Sequence, residues 1–437
     1  MPQSIAKTDD GPQRPTNLHV IPGDVLEDGR HMELVRDPLH PERLKLISWD
    51  GTRAAVESKI VVNGRCYVPP EIDPAVLGRL RLPSHAQAYG TTRELFHTIR
   101  GLILKYSSLP ANHAFLLTCF VLSTHFVDCV DIAPCVLLLG WAPAEALGVL
   151  QVLSWVCRHP VRLTDVGLGI PDFLRPTRLI CQANSSVQRL IPAWQFPGFG
   201  FSRGGSLREL SCATVIFVAG EELKTLFADS CLWISVAPGG RLVSFHDEQR
   251  ESPQIASLQN QLLSYRLQNY EKVRTSDFDV PEVAGSLRRL GRTLGACIVD
   301  APDLRARLVQ ELREFDAATN FDQIKQIGAV LIEALLVSCH ERRSTVHVGE
   351  IAELANTIFL QRGEILQLKP REVGAKLKDL GFCTTKIDSG GRGLYLLGEN
   401  CKRIHELARS YRVPSPEPGL PGCPHCGNQA PPLQQGL

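Results

Sequence analysis

The chain has 437 residues, with 47 Lys plus Arg against 46 Asp plus Glu. That is enough for two or three domains, and the balanced charge excludes a global field drawing the protein onto nucleic acid or a membrane, so any such affinity has to be local. The 14 cysteines are scattered through apolar stretches such as "LLTCFVLSTHFVDCVD" rather than set as a small secreted framework, and they read as reduced thiols of a cytoplasmic protein.

Residues 1–40 are rich in Pro, Asp, Arg and Gly, show no sustained period and lack the apolar run of a signal peptide, so they are expected to be a disordered arm. Residues 41–90 alternate like a small β element, with turns at Asp50-Gly51 and Asn63-Gly64. At "TTRELFHTIRGLILKYSSL" the period becomes helical through Leu95, Ile99, Leu102 and Ile103, with Thr91 or Thr92 as cap, and "ANHAFLLTCFVLSTHFV" gives a second helix. His125, Asp128, Asp131 and Pro134 interrupt the apolar stretch from Ala114 to Leu139, which therefore reads as a buried helix followed by a strand, not a membrane span. No membrane partner is expected.

From about 135 to 240, the runs "CVLLLG", "VRLTDV", "TRLICQAN", "ATVIFVAG" and "LWISVAP" alternate with helices or loops. Continuous apolar strands are buried on both faces, so the expectation is an α/β fold with a parallel, helix-flanked sheet. Residues 251–329 read as an α-helical lid or connector.

The first of these strands leads into Gly140, Trp141, Ala142, Pro143, Ala144 and Glu145 and then an apolar helix, the layout of a phosphate-binding loop. Such a loop needs glycines to expose backbone N–H groups, a lysine for phosphate charge and a hydroxyl for magnesium. Only the leading glycine is present. Pro143 removes a donor, and Glu145 places negative charge where phosphate would sit. Farther along, Cys181 and Gln182 occupy the strand end where adjacent acids would hold magnesium and orient water. Ala219, Asp229 and Ser230 stand where a polar sensor and an arginine are expected. Two readings remain at this point: a nucleotide site that lost its charged parts, or an ordinary α/β crossover.

"RPT" before the third of these strands, "LLSYRLQNYEKV" and "VGAKLKDLGF" carry a resemblance over roughly residues 90 to 413. The order of pieces resembles AAA-type and superfamily-3 helicase-like P-loop proteins of phages and plasmids, and in particular a bacterial group with a degenerate P-loop core, a helical segment and a C-terminal winged helix. The resemblance implies the fold, with no catalytic residue carried onto a matching position.

Residues 330–413 read as helix, helix, helix, hairpin, the order of a winged helix-turn-helix. Ile351, Leu354, Ala355 and Ile358 share one face of the second helix. Pro370 suits the first position of the third, Val373, Leu377 and Leu380 point inward, and Gly381 ends it. "CTTKI" and "GLYLL" then flank a Gly-rich turn. Lys369, Arg371, Lys376 and Lys378 lie on or beside the third helix, and Lys386 and Arg392 on the wing, placed for phosphate contacts with double-stranded DNA. From Glu341 to Val413 there are 13 Lys and Arg against 9 Asp and Glu. A protein-docking surface is the competing reading.

After Pro414 the tail, 414–437, is expected to be disordered apart from Cys423 and Cys426, half of a zinc site that Cys401 and His405 would complete if the tail folded back. His125, on an apolar helix, reads as a satisfied core residue rather than a base. The expectation is a non-catalytic DNA-associated protein of mobile-element replication or regulation, with no cofactor beyond that zinc and with protein partners or self-association open. The alternatives are a divergent ATPase or helicase completed by a partner subunit, and an interaction scaffold.

Overall fold

The structure, a computed structural model, describes residues 18–78, 80–140, 142–164, 175–182, 190–191, 194–196, 200–203, 206–209, 211–219, 231–237, 243–283, 285–325, 327–362, 367–387, 391–411 and 413. The chain forms two units, divided between Arg313 and Glu314.

The first unit starts with seven short strands: β1 (Leu18–Val20), β2 (Gly23–Val25), β3 (His31–Arg36), β4 (Leu44–Trp49), β5 (Ala54–Glu57), β6 (Ile60–Val62) and β7 (Arg65–Val68). β2 to β5 form an antiparallel sheet in chain order, and β1, β7 and β6 form a second. The expected arm thus contains three strands from Leu18 onward, a correction to the sequence reading. Its cause is that β3, "HMELVR", is buried along nearly its whole length, so it carries no alternation to recognise. The expected turns are present: Asn63 and Gly64 both take positive φ between β6 and β7. Asp50 accepts from the backbone N–H groups of Thr52 and Arg53, which hold its carboxyl down at about 2.

After α1 (Pro74–Leu77) come α2 (Thr92–Tyr106) and α3 (Ala111–Thr124). Thr91 caps α2 in a reciprocal box with Glu94. The central sheet uses β8 (Cys135–Gly140), β9 (Pro160–Leu163), β10 (Thr177–Ile180), β13 (Thr214–Ala219) and β14 (Leu232–Ser235), with α4 (Pro143–Val156) after β8 and the hairpin β11 (Gly200–Arg203) and β12 (Ser206–Glu209) between β10 and β13. All five strands pair in parallel, in the order β14-β8-β13-β10-β9. β8, first of the five in the chain, therefore ends centrally between β14 and β13. In open α/β sheets that is the kind of position where ligands bind.

α5 (Phe245–Arg274), α6 (Gly285–Ala296) and α7 (Pro302–Lys325) follow. α5 starts earlier than the apolar pattern indicated, because Ser244 and Asp247 form a capping box ahead of it. The segment read as a lid or connector is in fact part of the flank: α5 packs on α2 and α4, and α6 packs on α3. Gln259 Nε2 of α5 donates to the Trp155 carbonyl of α4 at 2.9 Å.

The second unit runs α8 (Ile327–His340), β15 (Thr345–His347), α9 (Val348–Gln361), α10 (Pro370–Asp379), β16 (Thr385–Lys386), β17 (Arg392–Tyr395) and α11 (Glu399–Ser410). Its three strands form an antiparallel sheet in the order β15-β17-β16. Val330, Leu331, Leu335, Phe359, Leu377 and Ile404 are among its buried core. Among the described residues, no helix is long and apolar enough to cross a membrane.

Candidate functional site

At the end of β8, Gly140 has φ +153°. A Cβ there would lie 2.4 Å from the Val236 carbonyl oxygen. The chain leaving β14 is held at this point by the Val236 N–H, which donates to the Leu139 carbonyl at 2.7 Å. Close backbone approach is thus a sufficient reason for the glycine. Pro143 is in the first turn of α4, Ala142 precedes it without a side-chain cap, and Glu145 is half-buried in the same turn. α4 is buried through Ala146, Val149, Leu150 and Leu153, so its apolar character is that of a core helix. Beyond β10, the Cys181 N–H donates to the Leu163 carbonyl at 2.8 Å, burial pushes its thiol up, and Gln182 is exposed. A protonated thiol and an amide supply no anionic ligand for magnesium. Trp141, Asp229 and Ser230 lie outside the described residues.

The same unit contains a buried charge cluster that local pattern reading missed. Glu33 on β3 accepts from Arg158, before β9, with both carboxylate oxygens 3.0 Å from Nη2. Arg266 on α5 donates Nε to Glu33 at 2.5 Å and Nη1 to Asp128, just past α3, at 2.9 Å. Burial opposes ionisation of Glu33 and Asp128, yet the two arginines outweigh it and hold both carboxyls below their usual range. Arg266 is correspondingly pushed well above its ordinary value by those carboxylates, against its own burial. Four segments far apart in sequence are joined, and the only local sign is an ionisable residue inside each of "HMELVR", "FVDCVD", "WVCRHP" and "LSYRLQ". Alongside, His125 Nε2 sits 3.0 Å from the Val156 carbonyl, and burial lowers its pKa to about 3, so it is a neutral donor.

A cleft of about 320 Å³ lies between the segment after α3 and the α5–α6 connection. Asp131, Asp277, Asp279, Arg274 and Arg292 line it. Asp279 is bound by Arg288 and Arg292, which hold its carboxyl far below the usual range. Arg274 is likewise bound to Glu271, so both arginines of the lining are paired.

In the second unit, Lys369 is the residue before α10, Pro370 opens the helix and the Glu372 carboxylate returns to the Lys369 N–H at 2.9 Å. Val373 and Leu377 are fully buried and Leu380 is half-buried. The helix ends in a Schellman arrangement: the Phe382 N–H donates to the Leu377 carbonyl at 2.8 Å, and the Gly381 N–H donates to the Lys378 carbonyl at 2.9 Å. Gly381 has φ +80°, the left-handed turn such an ending requires. Arg403 of α11 covers the same end by donating to the Leu380 carbonyl.

Arg371, Lys376, Lys378, Lys386 and Arg392 are all exposed, as is Lys369. Arg371 and Lys378 are seven positions apart, on one side of α10. Lys376 is 3.8 Å from Asp379. Lys386 and Arg392 sit directly opposite each other on β16 and β17, and the Arg392 guanidinium lies back on Thr384 through Nε to Oγ1 at 3.2 Å. Like charges facing one another across a strand pair repel, so this position favours a counter-anion.

α9 begins at Val348; Val346 and His347 just before it belong to β15, because Val346 pairs with Leu394 on β17. Ile351, Ala355 and Ile358 are buried and Leu354 half-buried, as the pattern indicates. Cys401 and His405 lie on α11. The His405 Nδ1 donates to the Cys401 carbonyl at 2.7 Å and its Nε2 faces His340 Nε2 at 3.4 Å. Cys423 and Cys426 lie outside the described residues, and among those described no three His, Cys, Asp or Glu form a metal-binding group.

No family model matches the chain, and no curated protein matches it. Solved structures that align with it include two of low identity. The apo C-terminal region of NrS-1 in its A form is 10% identical, over 83% of this chain and 96% of that one, with a TM-score of 0.33. Drosophila ORC bound to DNA is 12% identical, over 78% of this chain and 96% of that one, with a TM-score of 0.19.

Proposed function

We propose that the second unit is a winged helix-turn-helix module that binds double-stranded DNA, attached to a degenerate, non-catalytic P-loop-like core. The protein is then a cytoplasmic DNA-associated factor of mobile-element replication or regulation. The observation carrying this reading is the exposed cation set on α10 and the β16–β17 hairpin, within the order helix, strand, helix, helix, strand, strand, helix. The third helix of such a module enters the major groove, and the hairpin follows the adjacent backbone. Lys369, Arg371, Lys376, Lys378, Lys386 and Arg392 act as phosphate contacts, which set position rather than sequence preference.

The non-catalytic part is supported by the end of β8. Gly140 is accounted for by Val236, Pro143 offers no N–H, and Cys181 and Gln182 replace the metal-holding acids.

Binding to a fluorescent duplex across a salt series tests the first claim. Neutralising Lys376, Lys378 and Arg392 together lowers affinity on unrelated sequences alike and flattens the salt dependence by about one unit of slope per lost contact. Unchanged binding by that variant, with its fold intact by circular dichroism, sinks the assignment. Magnesium-dependent ATP turnover by the purified chain, with or without DNA, sinks the second claim.

A further inference from the structure

Two helices of the second unit, α8 and α11, bring together two cysteines 62 residues apart in the chain. Cys339, in the last turn of α8, has its Sγ 3.5 Å from the Sγ of Cys401, in the first turn of α11. Cys339 is buried and Cys401 half-buried, and both are reduced. The Cys401 thiol also points at the Leu396 carbonyl, 3.3 Å away, directly after β17. A disulfide needs sulfurs about 2.05 Å apart, so closure asks for an approach of about 1.5 Å between two side chains already in contact. Three buried thiols of the first unit offer a contrast. Cys119, Cys157 and Cys297 are closed off from solvent, which keeps an oxidant away from them. At the 339/401 pair, one member reaches toward solvent.

We propose that Cys339 and Cys401 form an oxidant-sensitive dithiol that closes to a disulfide between α8 and α11, with hydroperoxides as the oxidant. The Cys401 thiolate attacks one peroxide oxygen; the O–O bond breaks, and the alcohol, or water in the case of hydrogen peroxide, leaves with a proton. Cys339 then attacks the resulting Cys401 sulfenic sulfur; the S–O bond breaks and water leaves, carrying the Cys339 proton. In sum, two thiols lose two electrons and two protons, and the hydroperoxide takes up both and becomes alcohol and water. Closure replaces the Cys401 contact to Leu396 and ties α8 to α11. The proposal is independent of the DNA reading.

The test treats the full-length reduced chain with stoichiometric hydrogen peroxide, alkylates the remaining thiols and maps the digest by mass spectrometry without reductant. The expected result is a peptide linking Cys339 to Cys401, reversed by dithiothreitol and absent from Cys339→Ser and Cys401→Ser. Oxidation also raises the melting temperature of the second unit by several degrees in the unaltered chain and not in the variants. Exposed Cys383 is the internal control for oxidant access. Recovery of Cys339 and Cys401 as alkylated thiols after Cys383 has been oxidised overturns the proposal, as does a linkage of either residue to Cys383 instead. The map of the unaltered chain decides the pairing even where a variant fails to fold.

Discussion

The end of β8 and the outer surface of α10 with its hairpin are both places where a chain of this layout could meet an anion, and they use their polar groups in opposite ways. After β8 the backbone is committed to the chain itself, with Leu139 bonded to Val236 and Gly140 pressed against it. In the same unit Arg158 and Arg266 are turned inward and spent on Glu33 and Asp128. On α10 and the hairpin the cations face solvent, and Lys386 and Arg392 face each other. The lesson is that a loop's resemblance to a binding motif says little until the partners of its backbone are known, whereas unneutralised surface charge is a property the environment leaves open.

The largest loss is expected from the inward charges. Replacing Arg266 by Met strands Glu33 and Asp128 in the interior and is expected to cost about 3–5 kcal/mol, read as a lowered urea midpoint for the first unit. A loss below about 1 kcal/mol means the cluster is not a structural joint.

Gly140→Ala separates a packing glycine from a phosphate-binding one. The added methyl meets the Val236 carbonyl and adopts a disfavoured φ, so stability is expected to fall by about 2 kcal/mol or more. If stability holds while measurable nucleotide affinity is lost, the loop binds phosphate after all.

Acid titration probes the interior of the first unit next. The folded pKa of His125, about 3, lies below the unfolded value of about 6.5, so between these limits the unfolded chain takes up a proton the folded one refuses. First-unit stability is therefore expected to decline as pH falls from about 6.5, with a slope approaching 1.4 kcal/mol per pH unit for that proton. Glu33 and Asp128 have depressed folded values, so their contribution is complete above about pH 4.5 and is lost on further acidification. Urea midpoints measured from pH 7 to 3 check the sign; a flat profile contradicts it.

The smallest effects compare cations on the outer surface. Lys376 shares its charge with Asp379, so Lys376→Ala is expected to weaken duplex binding less than Lys386→Ala. Lys386→Ala, by relieving the repulsion with Arg392, should also stabilise the second unit by roughly 0.2–1 kcal/mol in thermal melts. Equal binding losses from the two variants remove the distinction.

Local chemistry made much of this legible. Five apolar runs became five parallel strands, Asn63-Gly64 made its turn, and Pro370 and Gly381 bounded α10, because each signal acts over a few residues through backbone sterics or a cap. β15 was hidden because "TVH" leads straight into a helix, and only its pairing with β17 makes it a strand. β2 and β3 were hidden in a stretch whose composition looked like an arm, and Glu33 inside β3 hid the strand's burial.

The helices, the five strands of the central sheet and the apolar face of α10 were written in the chain, since they follow from side-chain periodicity and from residues that restrict φ. Folding alone set the Val236 carbonyl against Gly140, joined Glu33, Asp128, Arg158 and Arg266 in mutual neutralisation, and brought Cys339 to Cys401. The reason is physical: steric exclusion, ion pairing and thiol contact depend on distance in space, and here the partners are separated by tens to hundreds of residues along the chain.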